Sequence, residues 1–508
     1  MSRVKSVRLI LALLVAALLP VLAGCGSGSD VGGAADVVPA DVFLYASVDT
    51  DFDGDGWAAL EEFAARFPDG DNLMQSLADE LESGEEGIDF EQDVKPALGD
   101  ELAFVLLDAP ATPELDPPPG TEFYSDEPAF VVLLHPEDEA AFQRLLETGD
   151  EPPVTDEIDG WTVLAENQET LDRFSSLDGA RLDSSEDFER AMEDLEDGAL
   201  ARVFVNGDKL AEAYEGDPGA AQQLEALLPG GGMPSFGMTF GVEADSVRID
   251  GRAVFDGENP FATESYSADL PEKVPGDVLA YVSFNDLESA FSEYRDVAAE
   301  ANPDAERQLG QAEGLLGLSL EEDVLPLLSG EGAIYVRQGA IIPEVTLVTE
   351  LEDDAEAEAL ATLDKIVTFA ANFEPSLRGV KNVEIDGVEA REVPVAPTMS
   401  LYYAAFDGLL VVTSSQEGII ALREESDRLS DSEAFDDALD AAGVPDETQG
   451  FGYLDLESIV PLVLAFQGVA AEEIEPEAQA FLDPLESLVF YGEQDDDTAA
   501  FTFFVGVE

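Results

Sequence analysis

The sequence predicts an α+β fold: two tandem copies of one mixed unit, with mainly antiparallel sheets and helices packed on them. Three observations carry this expectation. Four short segments recur in the same order, apolar runs of strand length are joined by short turns, and helical periodicities are grouped rather than strictly alternating with strands.

The recurrence runs as follows. Pro39-Ala40-Asp41-Val42-Phe43-Leu44-Tyr45-Ala46-Ser47 returns as Pro275-Gly276-Asp277-Val278-Leu279-Ala280-Tyr281-Val282-Ser283. Glu91-Gln92-Asp93-Val94-Lys95-Pro96 returns as Glu321-Glu322-Asp323-Val324-Leu325-Pro326, each followed by a glycine, Gly99 or Gly330. Ile158-Asp159-Gly160 pairs with Ile385-Asp386-Gly387, and Ser185-Glu186-Asp187-Phe188 with Ser432-Glu433-Ala434-Phe435. A bias towards Asp and Glu does not explain the shared Pro, Tyr, Gly and Phe positions. The expected division is 37–260 and 261–508, with the polar, proline-bounded stretch Asn259 to Lys273 at the junction.

Within the unit, Val42 to Val48 is a nearly continuous apolar run, suited to a strand buried on both faces. Trp57, Leu60, Phe63, Ala64 and Phe67 recur at helical spacing until Pro68, and Leu73, Met74, Leu77 and Leu81 line one face of a second helix. Leu102 to Leu107 and Ala129 to Leu134 read as strands around an acidic, proline-rich loop, Asp108 to Pro128. The corresponding strands, Ala333 to Val336 and Val345 to Val348, have a far shorter connection. A helix over Glu137 to Leu146 precedes strands near Trp161 and at Ala201 to Val205. Ser185 and Ser432 suit helix N-caps. Each copy closes on paired strands, Gly237 to Val242 with Val247 to Phe255, and Leu488 to Tyr491 with Ala499 to Val507. The last of these places the C-terminus in a sheet.

The N-terminus carries an address. Arg3, Lys5 and Arg8 precede an apolar run from Leu9 to Leu22 that only Pro20 interrupts, and Leu22-Ala23-Gly24-Cys25 resembles a bacterial lipobox. About 14 apolar residues is short against the roughly 20 that span a bilayer. The expectation is a signal peptide over 1–24, lipid (palmitate) on Cys25, and a flexible small-residue tether over 25–36. This places the protein outside the cytoplasm, anchored to the cell membrane. One acyl chain anchors only marginally, so two or three are needed.

Composition excludes several classes. A 45% hydrophobic content permits large cores and argues against disorder. The formal net charge is −89; without the three basic residues of the leader, 20 basic face 112 acidic residues, a net of −92. Such a chain repels nucleic acid and anionic headgroups, and favours cations or basic envelope partners. An acidic, lysine-poor surface fits a saline habitat as well as an exported protein.

The head Pro39-Ala40-Asp41-Val42, the acidic turn into Trp57, the Arg66-Phe67-Pro68 helix end and the Asp93-Val94-Lys95-Pro96 to Gly99 segment resemble the domain of unknown function 3352 family. The resemblance covers most of the mature chain and rests on core, turn and helix positions. It implies an exported bacterial protein and assigns no activity.

Little catalytic chemistry is at hand. Cys25 is the only cysteine and His135 the only histidine, so a zinc site lacks its ligands and a Ser-His-Asp triad would have to use His135. A strand-end histidine followed by Pro136 reads as structural. With 112 acids, no carboxylate pair is informative by itself. The one suggestive constellation is Asp49-Thr50-Asp51-Phe52-Asp53-Gly54-Asp55-Gly56-Trp57. Asp49, Asp51, Asp53 and Asp55, with Gly54 sixth, resemble the start of a calcium loop, and Glu61 or Glu62 stands where a closing ligand could come from. The twelfth position is Leu60, and the corresponding segment Asn285-Asp286-Leu287-Glu288 has no such ladder. The alternative is an acidic turn whose charges favour the N-terminus of the next helix.

The expected role is a non-enzymatic, lipid-anchored binding or structural scaffold of the envelope. A carrier of an apolar ligand between the two repeats is the second reading, and a carboxylate-based hydrolase the third. Sequence leaves the oligomeric state open.

Overall fold

The computed structural model describes residues 33–508 apart from 69, 85–87, 110–128, 148–151, 178, 194, 196–198, 216–231, 258, 260–261, 290, 293–306, 308–309, 312, 315–316, 340–341, 353–354, 397–398, 425–426 and 467–475. The leader 1–24, Cys25, the tether as far as residue 32 and most of the loop 108–128 lie outside the described residues.

Among the described residues, eighteen strands form one sheet. In chain order they are β1 (Leu44–Asp49), β2 (Glu101–Leu106), β3 (Phe130–Leu134), β4 (Val154–Ile158), β5 (Trp161–Ala165), β6 (Ala201–Val205), β7 (Ser235–Glu243), β8 (Ser246–Val254) and β9 (Val278–Phe284). There follow β10 (Gly332–Arg337), β11 (Glu344–Glu350), β12 (Lys381–Ile385), β13 (Val388–Ala396), β14 (Met399–Phe406), β15 (Leu409–Thr413), β16 (Gly450–Asp455), β17 (Leu485–Gln494) and β18 (Thr498–Val507). The chain is therefore α+β, as expected. Every pairing between these strands is antiparallel, the arrangement that short turns between consecutive strands allow.

Followed from edge to edge, the first part of the chain contributes β4, β5, β3, β2, β1, β6, β7 and β8. Next comes β18, bonded to β8 on one side and β17 on the other. The sheet then continues β16, β9, β10, β11, β15, β14, β13 and β12. The β8–β18 ladder, from Val254↔Thr498 to Ser246↔Gly506, is thus the seam of the molecule.

One pairing read from sequence changes. Asp159-Gly160 and Asp386-Gly387 both turn tight hairpins with positive φ at both residues, as does Asp407-Gly408. The hairpin beside β3 is β4–β5, and the one beside β11 is β14–β15. Asp407-Gly408 therefore holds the place of Asp159-Gly160, while Asp386-Gly387 turns the further hairpin β12–β13. The same two-residue turn demands the same residues wherever it occurs, so the motif alone does not identify a counterpart.

The front face of the sheet carries two cores. One gathers Val42, Tyr45, Val105, Leu133, Val163, Phe188 and Phe204, and the other Val278, Tyr281, Tyr335, Val348, Val411, Phe435 and Phe451. On the back face, helices Asp55–Ala64 and Glu139–Glu147 cover the first end and helix Glu356–Ala370 the other, while helix Leu456–Phe466 packs across β17, β9 and β16.

Both front cores are closed by the same bonds. Arg181 Nη1 donates to the carbonyl of Val37 at 2.9 Å, and Arg428 Nη1 to that of Lys273 at 2.8 Å. The Phe188 ring meets Tyr45 edge-on, and Phe435 meets Tyr281 likewise. A carboxylate then ties down the first turn. Glu101 accepts from the Ala34 amide at 3.2 Å and the Tyr45 hydroxyl at 3.0 Å. Glu331 accepts from the amides of Asp269 at 2.8 Å and Leu270 at 3.0 Å. This corrects the end of the expected tether. Ala34 and Ala35 form a buried 3-10 turn, because their small side chains pack into the first front core.

Burial pushes the Glu331 carboxyl up from its ordinary 4.5 to about 7, against the pull of the Leu270 and Asp269 amides and with added repulsion from Glu350. A carboxyl raised on folding contributes stability that is complete below its unfolded value and is lost as pH climbs through its folded value. Wild-type protein should therefore lose stability between pH 5 and pH 8. Glu331→Gln should flatten that slope by about 2–3 kcal/mol relative to wild type, measured by thermal melts across the window. Parallel slopes in the two proteins would contradict the assignment.

Candidate functional site

The aspartate ladder is the first place to look for a site. Asp49 ends β1 and is buried; its Oδ1 accepts the Asp51 amide at 2.8 Å, and its carbonyl accepts Trp57 Nε1 at 3.2 Å. Burial raises the Asp49 carboxyl to about 6. Asp53 leaves the loop to pair with Lys95 at 2.7 Å, Asp55 opens helix Asp55–Ala64, and Glu61 and Glu62 are exposed on that helix. The four aspartates are spent on a turn, an ion pair and a helix start. Among the described residues, no group of three or more His, Cys, Asp or Glu side chains is arranged to hold a metal ion. His135 is exposed and meets Trp161 edge-on, with ring centroids 6.2 Å apart.

The seam carries a feature that sequence reading did not find. Across β7, β8, β18 and β17 the front-face row reads Thr239, Asp250, Thr502, Tyr491. Arg248, two residues before Asp250, lies on the same face. Its Nε donates to both Asp250 oxygens at 3.0 and 2.8 Å, Nη1 to the carbonyl of Ala442 at 2.7 Å, and Nη2 to the Tyr491 hydroxyl at 3.0 Å. The Thr502 hydroxyl donates to Asp250 at 2.6 Å. Burial by itself lowers the affinity of Arg248 for its proton, but Asp250 and Tyr491 more than offset this and the net shift is upward. One arginine thus joins β8 to the end of helix Glu433–Ala442 and to β17. In the strand, the only signal is Arg-Ile-Asp at a spacing of two.

Around this group opens a cleft of about 550 Å³, with Glu447, Gln449, Glu493, Asp495 and Thr498 among its walls. A second, of about 510 Å³, gathers Glu186, Asp187, Asp256, Asp496 and Asp497 around Arg190, which pairs with Asp497 at 2.7 Å. Burial, then the nearby Asp256 charge, raises the Asp187 carboxyl. Both clefts are polar.

The back of the seam is the opposite. One cross-strand row reads Phe240, Ile249, Phe503, Phe490, Gly452, Val282, Ile334, Leu347. The next row includes Met238, Gly251 and Phe501. Three glycines on this face lie under phenylalanine rings from the neighbouring strand: Gly251 under Phe501, Gly452 under Phe490, and Gly332 under Phe284. A Cβ at Gly452 would stand 2.1 Å from its ring, so the aromatic side chains lie flat only because the glycines are there. Phe503 and Ile334 are each 44% exposed, and Met238 41%. A sheet face turned to water ordinarily carries polar residues at alternate positions; this one does not. Among the described residues, no helix is long and apolar enough to cross a membrane.

The family model described as "Protein of unknown function (DUF3352)" matches residues 5–148 and 145–506, a division that does not fall at residue 260. No curated protein matches. A solved structure, crystal form I of TP0453, is similar at 10% identity over 45% of this chain and 75% of its own, with a TM-score of 0.20. A likeness that slight carries no argument.

Arg248 gives the seam its test. Arg248→Met leaves Asp250 buried without its cation and should cost about 3–5 kcal/mol in a denaturant melt. Adding Asp250→Asn should recover much of it, because the uncompensated charge is gone. Equal losses in the single and double variants would contradict this account of the pair.

Proposed function

This chain belongs to the DUF3352 family, and we propose that it is a non-enzymatic binding scaffold, held outside a bacterial membrane by lipid on Cys25, with the open back face of the seam as its contact surface. The observation that carries the reading is that face: exposed apolar side chains continue across strands from both parts of the chain, on a molecule of net charge −89. A soluble protein that needed only to stay folded gains nothing from such a patch. The wider scaffold is a tandem duplication over 37–260 and 261–508. In support stand the matched strand order on the two sides of the seam and the matched bonds of Arg181 with Arg428, and of Glu101 with Glu331.

The carrier reading draws support from the same apolar face. The hydrolase reading draws what support it has from the second cleft, where burial and the neighbouring Asp256 charge raise the Asp187 carboxyl; in the first cleft Asp250 has both oxygens engaged by Arg248, and one of them also by Thr502.

Two measurements test the proposal. Cys25→Ser should shift the protein from the membrane fraction to the soluble one, or leave it unprocessed. Normal fractionation would remove the anchor. Native protein should bind the neutral apolar dye Nile red without unfolding, and Ile334→Asp with Phe503→Asp should abolish most of that binding in a protein that still melts cooperatively. Dye binding that survives both substitutions would place the contact surface elsewhere.

A further inference from the structure

We infer that the corner where helix Glu356–Ala370 ends and β12 begins docks on a lipid bilayer, with Phe373 entering the interface and Arg378 and Lys381 meeting lipid phosphate. The inference goes beyond the back-face contact surface; from the anchor reading it takes only that a membrane is at hand. The sequence marks the corner first. Acids make up 112 of the 508 residues, yet 365–383 holds only Glu374, beside Lys365, Arg378 and Lys381. Residues 393–406 hold no charged side chain at all. Three basic residues minus one acidic residue give these two stretches +2, on a chain whose net charge is −89.

The fold brings the two stretches together. Arg378 Nε donates to the carbonyl of Ala371 at 2.9 Å, which ties the 3-10 turn Pro375–Gly379 back to the helix end. Gly379 then passes so close to Pro394 that a Cβ on it would stand 2.9 Å from Cγ of that ring. Lys381 opens β12 opposite Glu392, and Ala396 pairs with Met399 where β13 passes into β14. The hairpin β12–β13 that builds this corner is the added one. At the matching point of the first part, the chain after helix Glu139–Glu147 reads Thr148-Gly149-Asp150-Glu151 and is acidic.

Phe373 stands out at this corner. At 75% it is the most exposed large apolar side chain among the described residues, and Val380 and Met399 are exposed at the same corner. The Phe369 ring supports it, with centroids 5.1 Å apart. Arg378 and Lys381 are exposed beside it in the chain, and the Lys381 amine reaches Glu392 at 3.3 Å while staying at the surface.

The chemistry then selects the occupant. Apolar side chains flanked by a guanidinium and an ammonium match a bilayer interface, where phosphate oxygens lie just above hydrocarbon. A second copy would attract the corner by charge, but the two clefts described above are polar and give Phe373 no apolar seat. A membrane needs no preformed seat, because acyl chains part around a projecting ring. The acidic remainder of the molecule is screened from headgroups beyond about 8 Å at physiological salt, so approach by the corner is favoured. The tether enters at Ala34, bonded to Glu101 of β2, while the corner lies at the β12 edge of the sheet. Lipid at one place and the corner at the other fix an orientation that a flexible tether leaves free.

The test places a reporter at the tip. Full-length protein carrying Phe373→Trp is reconstituted on vesicles of equal parts phosphatidylcholine and phosphatidylglycerol. Unsubstituted protein, whose tryptophans are Trp57 and Trp161, gives the baseline. Phosphatidylcholine brominated near the headgroup or near the chain end is the quencher, and light scattering reports oligomeric state without vesicles. The added emission should shift to the blue on vesicles and be quenched more by the shallow bromines than by the deep ones. Lys381→Gln in the same background should lower the ratio of docked to free corner about fivefold. Asp51→Asn should leave it unchanged. Both positions tested are exposed, so the variants keep the fold. Water-like, unquenched emission from protein that still floats with vesicles would overturn the corner and leave the anchor standing. Protein that does not float at all would overturn both readings. Quenching indifferent to Lys381→Gln would overturn the phosphate contact. A blue shift without vesicles, with a dimer in light scattering, would make a second copy the occupant.

Discussion

Everything distinctive about this molecule depends on the ladder between β8 and β18. The last ten residues of the sheet bond on one side to a strand more than 240 positions earlier, and on the other to their own hairpin partner. Without that strand the first eight strands and the other nine would be separate sheets. With it, the polar clefts on the front and the apolar strip on the back become properties of one continuous surface. The cost is topological: the seam cannot close until the whole chain is available, and contacts of such sequence separation form slowly.

The second constraint is charge. With 23 basic residues against 112 acidic ones, repulsion acts on every element, and the cations are placed where they join distant parts of the chain. Arg66 donates to the carbonyls of Ala244 and Val507, pinning a helix end to the hairpin turn and the C-terminus. Arg248 crosses the seam, Arg181 and Arg428 close the front cores, and Arg337 joins Asp277 to Glu344. Most of these arginines bond backbone carbonyls as well as, or instead of, carboxylates. A guanidinium suits that work because its donors fork to several acceptors at once.

Much of this was legible beforehand, and the reasons for the rest are physical. Alternation and short turns were enough to expect antiparallel pairing, and the apolar end of the chain was enough to place it in a sheet. Strand order was not legible, because β8 pairs with β18 through registry that no local signal encodes. Glu101 and Glu331 were invisible among 112 acids, since burial alone distinguishes them. The Asp49 to Asp55 ladder resembled a metal loop because turns and calcium loops draw on the same residues; the Lys95 partner of Asp53 comes from 42 positions away. The back face was hidden differently. A strand with apolar side chains on both faces reads as buried, and sequence alone does not show that Met238, Phe501, Phe503, Val282 and Ile334 stay partly exposed.

Hydrogen exchange of the intact protein, resolved by peptide, tests the central claim that β18 joins the chain into one cooperative sheet. Amides of Thr498–Val507 should exchange as slowly as those of the interior strands β1 and β9, and by the same global opening. Fast exchange of that strand while β1 and β9 stay protected would contradict the account, because the two parts would then be folding units without a shared seam.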